Sequence, residues 1–284
     1  MLKHRLFFGT MMTAGFGSLA ILDGWLDGSL SRSTPDKPIQ ATLLCIFIAA
    51  LTLPAQRELA RLAAAKNLKI FTPLAVAASI MFATAWYWPQ IINLSPRLYL
   101  PLLAAFTLAA SLLWQHLFYG NRSVLANCGA TSFAVCYLGL LASFVLGIRI
   151  EFGLWPFLMF VAVIKAADIG AYAIGSLLGK HKFSPTISPG KTWEGFGGAV
   201  AFAVVVSFLF SVSCGIMRWP SAVFFGLCFA FLGQMGDLAE SMMKRDAEQK
   251  DSAGKVPGFG GILDIIDSIL VASPFAYLYF RCCA

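Results

Sequence analysis

Charged residues are scarce in this chain. Asp, Glu, Lys and Arg make up 12% of its 284 residues, against 58% hydrophobic ones. So little charge excludes an ordinary soluble composition. Histidine is scarcer still: His4, His116 and His181 stand far apart, without the His and carboxylate spacing of a zinc site. The seven cysteines include no CxxC or other zinc spacing. Most lie in apolar runs, where Cys serves as a small hydrophobe. No GxSxG nucleophile elbow occurs. The run SPGKT at 188–192 resembles the end of a P-loop, but Pro185 stands where GxxxxGK[ST] needs its first Gly, which excludes that site. The net charge is +7, yet the basic residues are not interleaved with aromatics, so no nucleic-acid module is expected. The excess is better read as membrane topology and contact with anionic lipid.

Apolar length is abundant. The mean hydropathy is +0.76, and several runs approach or exceed the roughly 20 residues that span a bilayer. The pattern predicts an all-α, polytopic integral membrane protein with about nine transmembrane helices. They fall near residues 6–23, 40–54, 70–88, 99–119, 130–148, 155–178, 195–214, 221–240 and 263–281. Eight spans is the alternative, because the second run is short. With the N-terminus inside, fourteen of the 21 Lys and Arg fall in inside segments and six, Arg149 among them, outside; Lys165 lies within a span. This bias puts the polar loops of the second half in the cytoplasm. Met1–Leu22 has the charged start and apolar run of a signal peptide but no clear cleavage site, so it is expected to stay as the first span. Ala55–Lys69 reads as a cytoplasmic extension lying near the membrane surface, with Glu58 paired locally to Arg57 or Arg61.

Chemistry is confined to the second half. Nine of the 14 acidic residues lie between Asp168 and Asp267. Residues 1–153 are therefore expected to be scaffold helices, and 154–284 a catalytic half with cytoplasmic loops at 179–194 and 241–262. Lys165 and Asp168 share a helix face inside a span, where function is the default expectation and a neutralised pair the plainer one. The loop from Gly179 to Glu194 carries Lys180, His181, Lys182, Ser188, Lys191 and Thr192 among Pro and Gly, a composition suited to phosphates. An ordinary positive-inside loop would need the lysines but not the Ser-Pro-Gly-Lys-Thr detail. Asp237 and Glu240 end one span; Ser241, Lys244, Arg245, Lys250 and Asp251 follow. After the turn with Gly258, Gly260 and Gly261, Asp264 and Asp267 begin the last span. If the loop folds back, Asp237, Asp264 and Asp267 converge, as a carboxylate site for Mg²⁺ requires. Simple helix-end charge placement would account for Asp264 and Asp267 alone.

The run from Ser241 to Asp267 closely resembles the signature of phosphatidate cytidylyltransferases, matching it through Ser241, Lys244, Arg245, Lys250, Asp251, Pro257, Gly258, Gly260, Gly261, Asp264 and Asp267. Upstream, the runs from Asp168 to Gly175 and from Gly179 to Gly195 resemble the same family. The likeness is detailed over about 155–281; before it, the chain agrees only in being hydrophobic helices. Phe259 stands where the family usually has His, and Ile265 where it usually has Arg. The resemblance implies transfer of CMP from CTP to phosphatidate, with CDP-diacylglycerol and pyrophosphate as products, at the cytoplasmic face of a bacterial inner membrane. It implies Mg²⁺ on Asp237, Asp264 and Asp267, with a second cation such as K⁺ and a homodimer as open additions. Asp168, Lys244, Arg245, Lys250 and Asp251 would be catalytic. Lys180, His181, Lys182, Ser188, Lys191, Thr192, Ser241, Gly258, Gly260 and Gly261 would bind substrate. A transferase for another lipid phosphate, a transporter using Lys165 and Asp168, and a non-catalytic lipid-binding protein are the alternatives.

Overall fold

The computed structural model describes residues 2–30, 37–92, 95–249 and 260–283, and of 2–14 and 96–97 the backbone alone. The helices are α1 Leu2–Asp27, α2 Thr42–Ala65, α3 Thr72–Ala83, α4 Pro96–Tyr119, α5 Val124–Val135, α6 Leu141–Phe152, α7 Leu154–Leu178, α8 Trp193–Cys214, α9 Trp219–Asp246 and α10 Leu263–Cys283. A π-helical turn, Cys136–Leu140, joins α5 and α6 into one rod. Among the described residues there is no strand, only backbone bridging such as that of Lys182 with Thr192. In lipid the backbone must satisfy its own hydrogen bonds, so apolar runs of this length fold as helices. Gly153, at φ 88°, reverses the chain between α6 and α7 in a single residue, a conformation a side chain would strain.

The protein is a multi-pass integral membrane protein of the all-α class. Seven helices among the described residues are long and apolar enough to cross a membrane, with α5 and α6 counted as one. The run expected at 70–88 holds only the 12-residue α3. It continues in turns and the 3₁₀ turn Trp88–Gln90. Backbone N–H groups of Lys69 and Phe71 bond the side chains of Asn127 and Thr131 at one end; at the other, the Gln40 N–H bonds Gln90 Oε1 at 2.8 Å. The segment is thus a short helix followed by turns, not one regular span. The first expected span falls within α1, whose first half is described as backbone.

Ala55–Lys69 also departs from expectation. The helix α2 runs unbroken through Pro54 into the bundle. Gln56 is fully buried and bonds Ser79 Oγ at 2.6 Å and the Ala134 carbonyl at 3.2 Å. Glu58 is buried. It accepts the backbone N–H groups of Ile262 and Leu263 at 3.2 and 3.0 Å, capping α10 from 200 residues away in sequence.

Small residues set the spacing of the second half. α7 and α8 form the most extensive helix pair, and a Cβ at Gly170 would come within 2.5 Å of the Gly198 carbonyl. α9 meets α10 at Gly236, where a Cβ would lie 2.7 Å from Ser268 Cα and 2.9 Å from the Asp267 carbonyl. Gly236→Ala is expected to destabilise the protein by about 1–3 kcal/mol through overpacking, read as a lower melting temperature in detergent. Wild-type stability would mean that α9 and α10 do not meet this closely.

Candidate active site

The close approach at Gly236 brings the acids of two helices together. Carboxylate oxygens of Asp237, Glu240 and Asp267 all lie within 4.8 Å of one another. Asp267 and Glu240 are buried; Asp237 is half-buried. Asp267 Oδ1 accepts the Ser268 N–H at 2.6 Å and the Ser268 hydroxyl at 3.2 Å. Glu240 Oε1 is enclosed and has no hydrogen-bond partner among the described residues.

Three lysines ring this trio. Lys191, from the loop before α8, reaches Asp237 Oδ2 at 3.0 Å and the Gln234 carbonyl at 3.2 Å. Lys165 bonds Asp168 Oδ2 at 3.2 Å and the Ile265 carbonyl at 3.0 Å. Lys244, one turn beyond Glu240, contacts Glu240 Oε2 at 2.5 Å and Asp264 Oδ1. Asp264 also accepts the Gly261 N–H at 2.7 Å. Among the described residues, Asp168, Asp237, Glu240, Asp264 and Asp267 therefore meet Lys165, Lys191 and Lys244, five acids with three bases. Enclosed carboxylates are costly unless they are compensated in this way.

The fold assembles a different triad from the one the spacing suggested. Glu240 joins Asp237 and Asp267, while Asp264 stands beside them in the grip of Lys244. Ser241 lies with the group, its hydroxyl 3.4 Å from Asp237 Oδ1. Lys180, His181 and Lys182 are exposed on the loop above. There His181 Nδ1 lies 2.6 Å from Glu194 Oε1, and the Glu194 carboxylate accepts the N–H groups of Lys180 and His181. Ser188 sits in a tight turn, accepting the Lys191 N–H at 3.1 Å. Thr192 is buried and caps α8 by accepting the Gly195 N–H at 3.1 Å. Arg245 ties the same loop to α9 by donating to the Ile187 carbonyl at 3.1 Å. Gly260 takes φ 88° just before the α10 cap. Lys250, Asp251 and Gly258, with Phe259, lie outside the described residues.

Sequence reasoning missed Glu58 as a cap of α10 and left Glu240 out of the converging acids. The signal for Glu240 was present: it lies three residues from Asp237 and four before Lys244, on one helix face. No local signal existed for Glu58, whose partners come from the far end of the chain.

Fold and site define a polytopic membrane protein with a carboxylate and lysine cluster between its C-terminal helices. The model of the cytidylyltransferase family matches residues 38–283, and the chain belongs to that family. A Staphylococcus haemolyticus phosphatidate cytidylyltransferase is 32% identical over 239 residues, 82% of this chain and 88% of the relative. The Bacillus subtilis protein of that name is 37% identical over 160 residues, 55% of this chain and 60% of the relative. The Mycobacterium bovis one is 38% identical over 157 residues, 54% of this chain and 51% of the relative. The chain thus spans little more than half the length of the last two.

Proposed function

We propose that the protein transfers CMP from CTP to phosphatidate, giving CDP-diacylglycerol and pyrophosphate, at the cytoplasmic face of a bacterial inner membrane. The observation that carries this reading is the Asp237, Glu240 and Asp267 trio ringed by lysines in a member of the cytidylyltransferase family. The donor set suits Mg²⁺: all three ligating groups are hard carboxylate oxygens, and the enclosed Glu240 Oε1 awaits a partner. Asp237, Glu240 and Asp267 would hold the ion. When bound, Mg²⁺ supplies charge neutralisation at the phosphates.

The remaining work falls to the chain's own cations and to position. A phosphatidate oxygen attacks the α-phosphorus of CTP, and pyrophosphate leaves. The attacking phosphate is already anionic near neutral pH, so little general-base help is needed. The barrier is bringing two polyanions together. Lys165, Lys191 and Lys244 sit among the acids, where they offset phosphate charge, and exposed Lys180 and Lys182 offer a cationic rim to an arriving triphosphate. An apolar cleft lined by Phe16, Phe47, Thr52, Leu138, Ile266 and Leu270 borders the stretch of α10 that carries Asp267 and would suit a lipid tail.

The test is incorporation of radiolabelled CTP into lipid by purified protein with phosphatidate and Mg²⁺. Labelled CDP-diacylglycerol is expected, and EDTA is expected to remove it. Well-folded protein that labels another lipid phosphate but not phosphatidate would overturn the acceptor; no labelled lipid at all would overturn the transfer.

A further inference from the structure

The π-helical turn between α5 and α6 holds a tyrosine whose hydroxyl the fold leaves unmatched. Tyr137 is 7% exposed, and its hydroxyl has no hydrogen-bond partner among the described residues. Its ring is stacked on Phe133 with centroids 5.7 Å apart. Two residues on, Gly139 presses so closely on α3 that a Cβ would lie 2.7 Å from Ser79 Cα, which fixes the turn. Insertions of π-helix break the regular register of a helix and are frequent at functional sites. The turn packs against α10, where its Leu138 lines the same cleft as Ile266 and Leu270 on either side of Asp267, and the Tyr137 phenol lies within electrostatic reach of Asp267, Glu240 and Asp237.

Physical chemistry makes this arrangement expensive unless something completes it. Enclosing a hydroxyl without a partner is unfavourable, and Phe would fill the same space without that cost. An uncompensated polar group inside an otherwise apolar segment is the kind of local inconsistency that functional sites carry. Glu240 Oε1, also enclosed and partnerless among the described residues, belongs to the same centre.

We infer that Tyr137 contacts the ligand of this site, its hydroxyl donating a hydrogen bond to an oxygen held at the Asp237, Glu240 and Asp267 trio. That oxygen belongs to a cation-bound water or to a nucleotide phosphate. Both are oxygen acceptors, and a phenol donor serves either. The inference rests on the cytidylyltransferase reading only for its substrate arm.

Tyr137→Phe tests it, because the two roles of the hydroxyl predict opposite patterns. A hydroxyl that is merely a packing imperfection gives a variant of equal or higher melting temperature with unchanged ligand behaviour. The proposal expects equal or higher stability without Mg²⁺ but a weakened ligand response. If a cation-bound water is the acceptor, the Mg²⁺ concentration that half-maximally raises the melting temperature increases about tenfold, in line with other groups that support a metal's ligands. If a nucleotide phosphate is the acceptor, the Mg²⁺ response holds and the KM for CTP rises about tenfold instead. The proposal is overturned if both quantities stay within twofold of wild type, or if wild-type protein shows no Mg²⁺ response and no CTP response. Wild-type protein that responds to Mg²⁺ yet makes no CDP-diacylglycerol would sink the proposed reaction and leave the Tyr137 test standing.

Discussion

Asp267→Asn is expected to lower CDP-diacylglycerol formation by about 10³-fold while leaving the melting temperature of the metal-free protein within a few degrees of wild type. Asn keeps the volume of Asp and an oxygen that still accepts from Ser268. What it removes is one negative charge and one ligand oxygen at the point where α9 and α10 meet. Asp264→Asn is expected to be milder, because Asp264 acts through Lys244 and through the turn at Gly261. The two variants therefore rank the competing metal sets. If Asp264→Asn proves the more damaging, the set Asp237, Asp264 and Asp267 suggested by spacing is correct. If Asp267→Asn folds and turns over at full rate, the carboxylate trio does not hold the cation. Lipid labelling from radioactive CTP, run beside melting curves with and without Mg²⁺, reads both outcomes.

The contrast between Asp264 and Glu240 shows where sequence reasoning stops. Periodicity placed Asp237 with Glu240, and Asp264 with Asp267, each on one helix face, and the fold keeps both pairings. Which member of each pair turns toward the other helix depends on the rotation of α9 against α10. That rotation is set by the contact of Gly236 with Ser268, a tertiary fact that spacing does not contain. The apolar runs gave the all-α membrane class directly, because length and hydropathy suffice for it. They did not show that the run at 70–88 holds only a 12-residue helix followed by turns, since an apolar run enclosed by protein can be turns as well as helix. Glu58 was expected to pair with a neighbouring arginine, and Arg149 entered only as a charge outside the membrane. Both are buried, and each bonds backbone or acids more than 100 residues away in sequence. Local pattern carries no information about such partners.

Arg149→Met is expected to destabilise the protein by about 3–5 kcal/mol while leaving turnover below the melting transition within twofold of wild type. Arg149 is fully buried. Its Nη2 lies 2.7 Å from Asp27 Oδ2, 2.8 Å from Ser29 Oγ and 3.3 Å from Asp23 Oδ2. The two acids in turn accept backbone N–H groups at the start of α2: Asp27 from Ala41 at 3.1 Å and Asp23 from Leu43 at 2.8 Å. One guanidinium thus fastens the end of α1, the start of α2 and the end of α6. Removing it leaves two enclosed carboxylates without their countercharge, the costly way to break a buried ion cluster. The acids are not equally exposed to that loss. Asp27 Oδ1 keeps the Ser29 N–H at 3.0 Å and the Ser29 hydroxyl at 2.6 Å. Asp23 Oδ2 meets Arg149 as a charge without an aligned hydrogen bond. Asp23→Asn should therefore recover part of the loss in the Arg149→Met background, a coupling that a double-mutant cycle in melting temperature would measure. No recovery would mean that Arg149 acts by filling space and not by balancing charge. Asp168 lies 14 residues into α7 from Leu154, about 21 Å along the helix at 1.5 Å per residue, and Arg149 lies before that start. A parallel fall in turnover at low temperature would show that the two ends of the bundle are coupled, and their independence is the expected result.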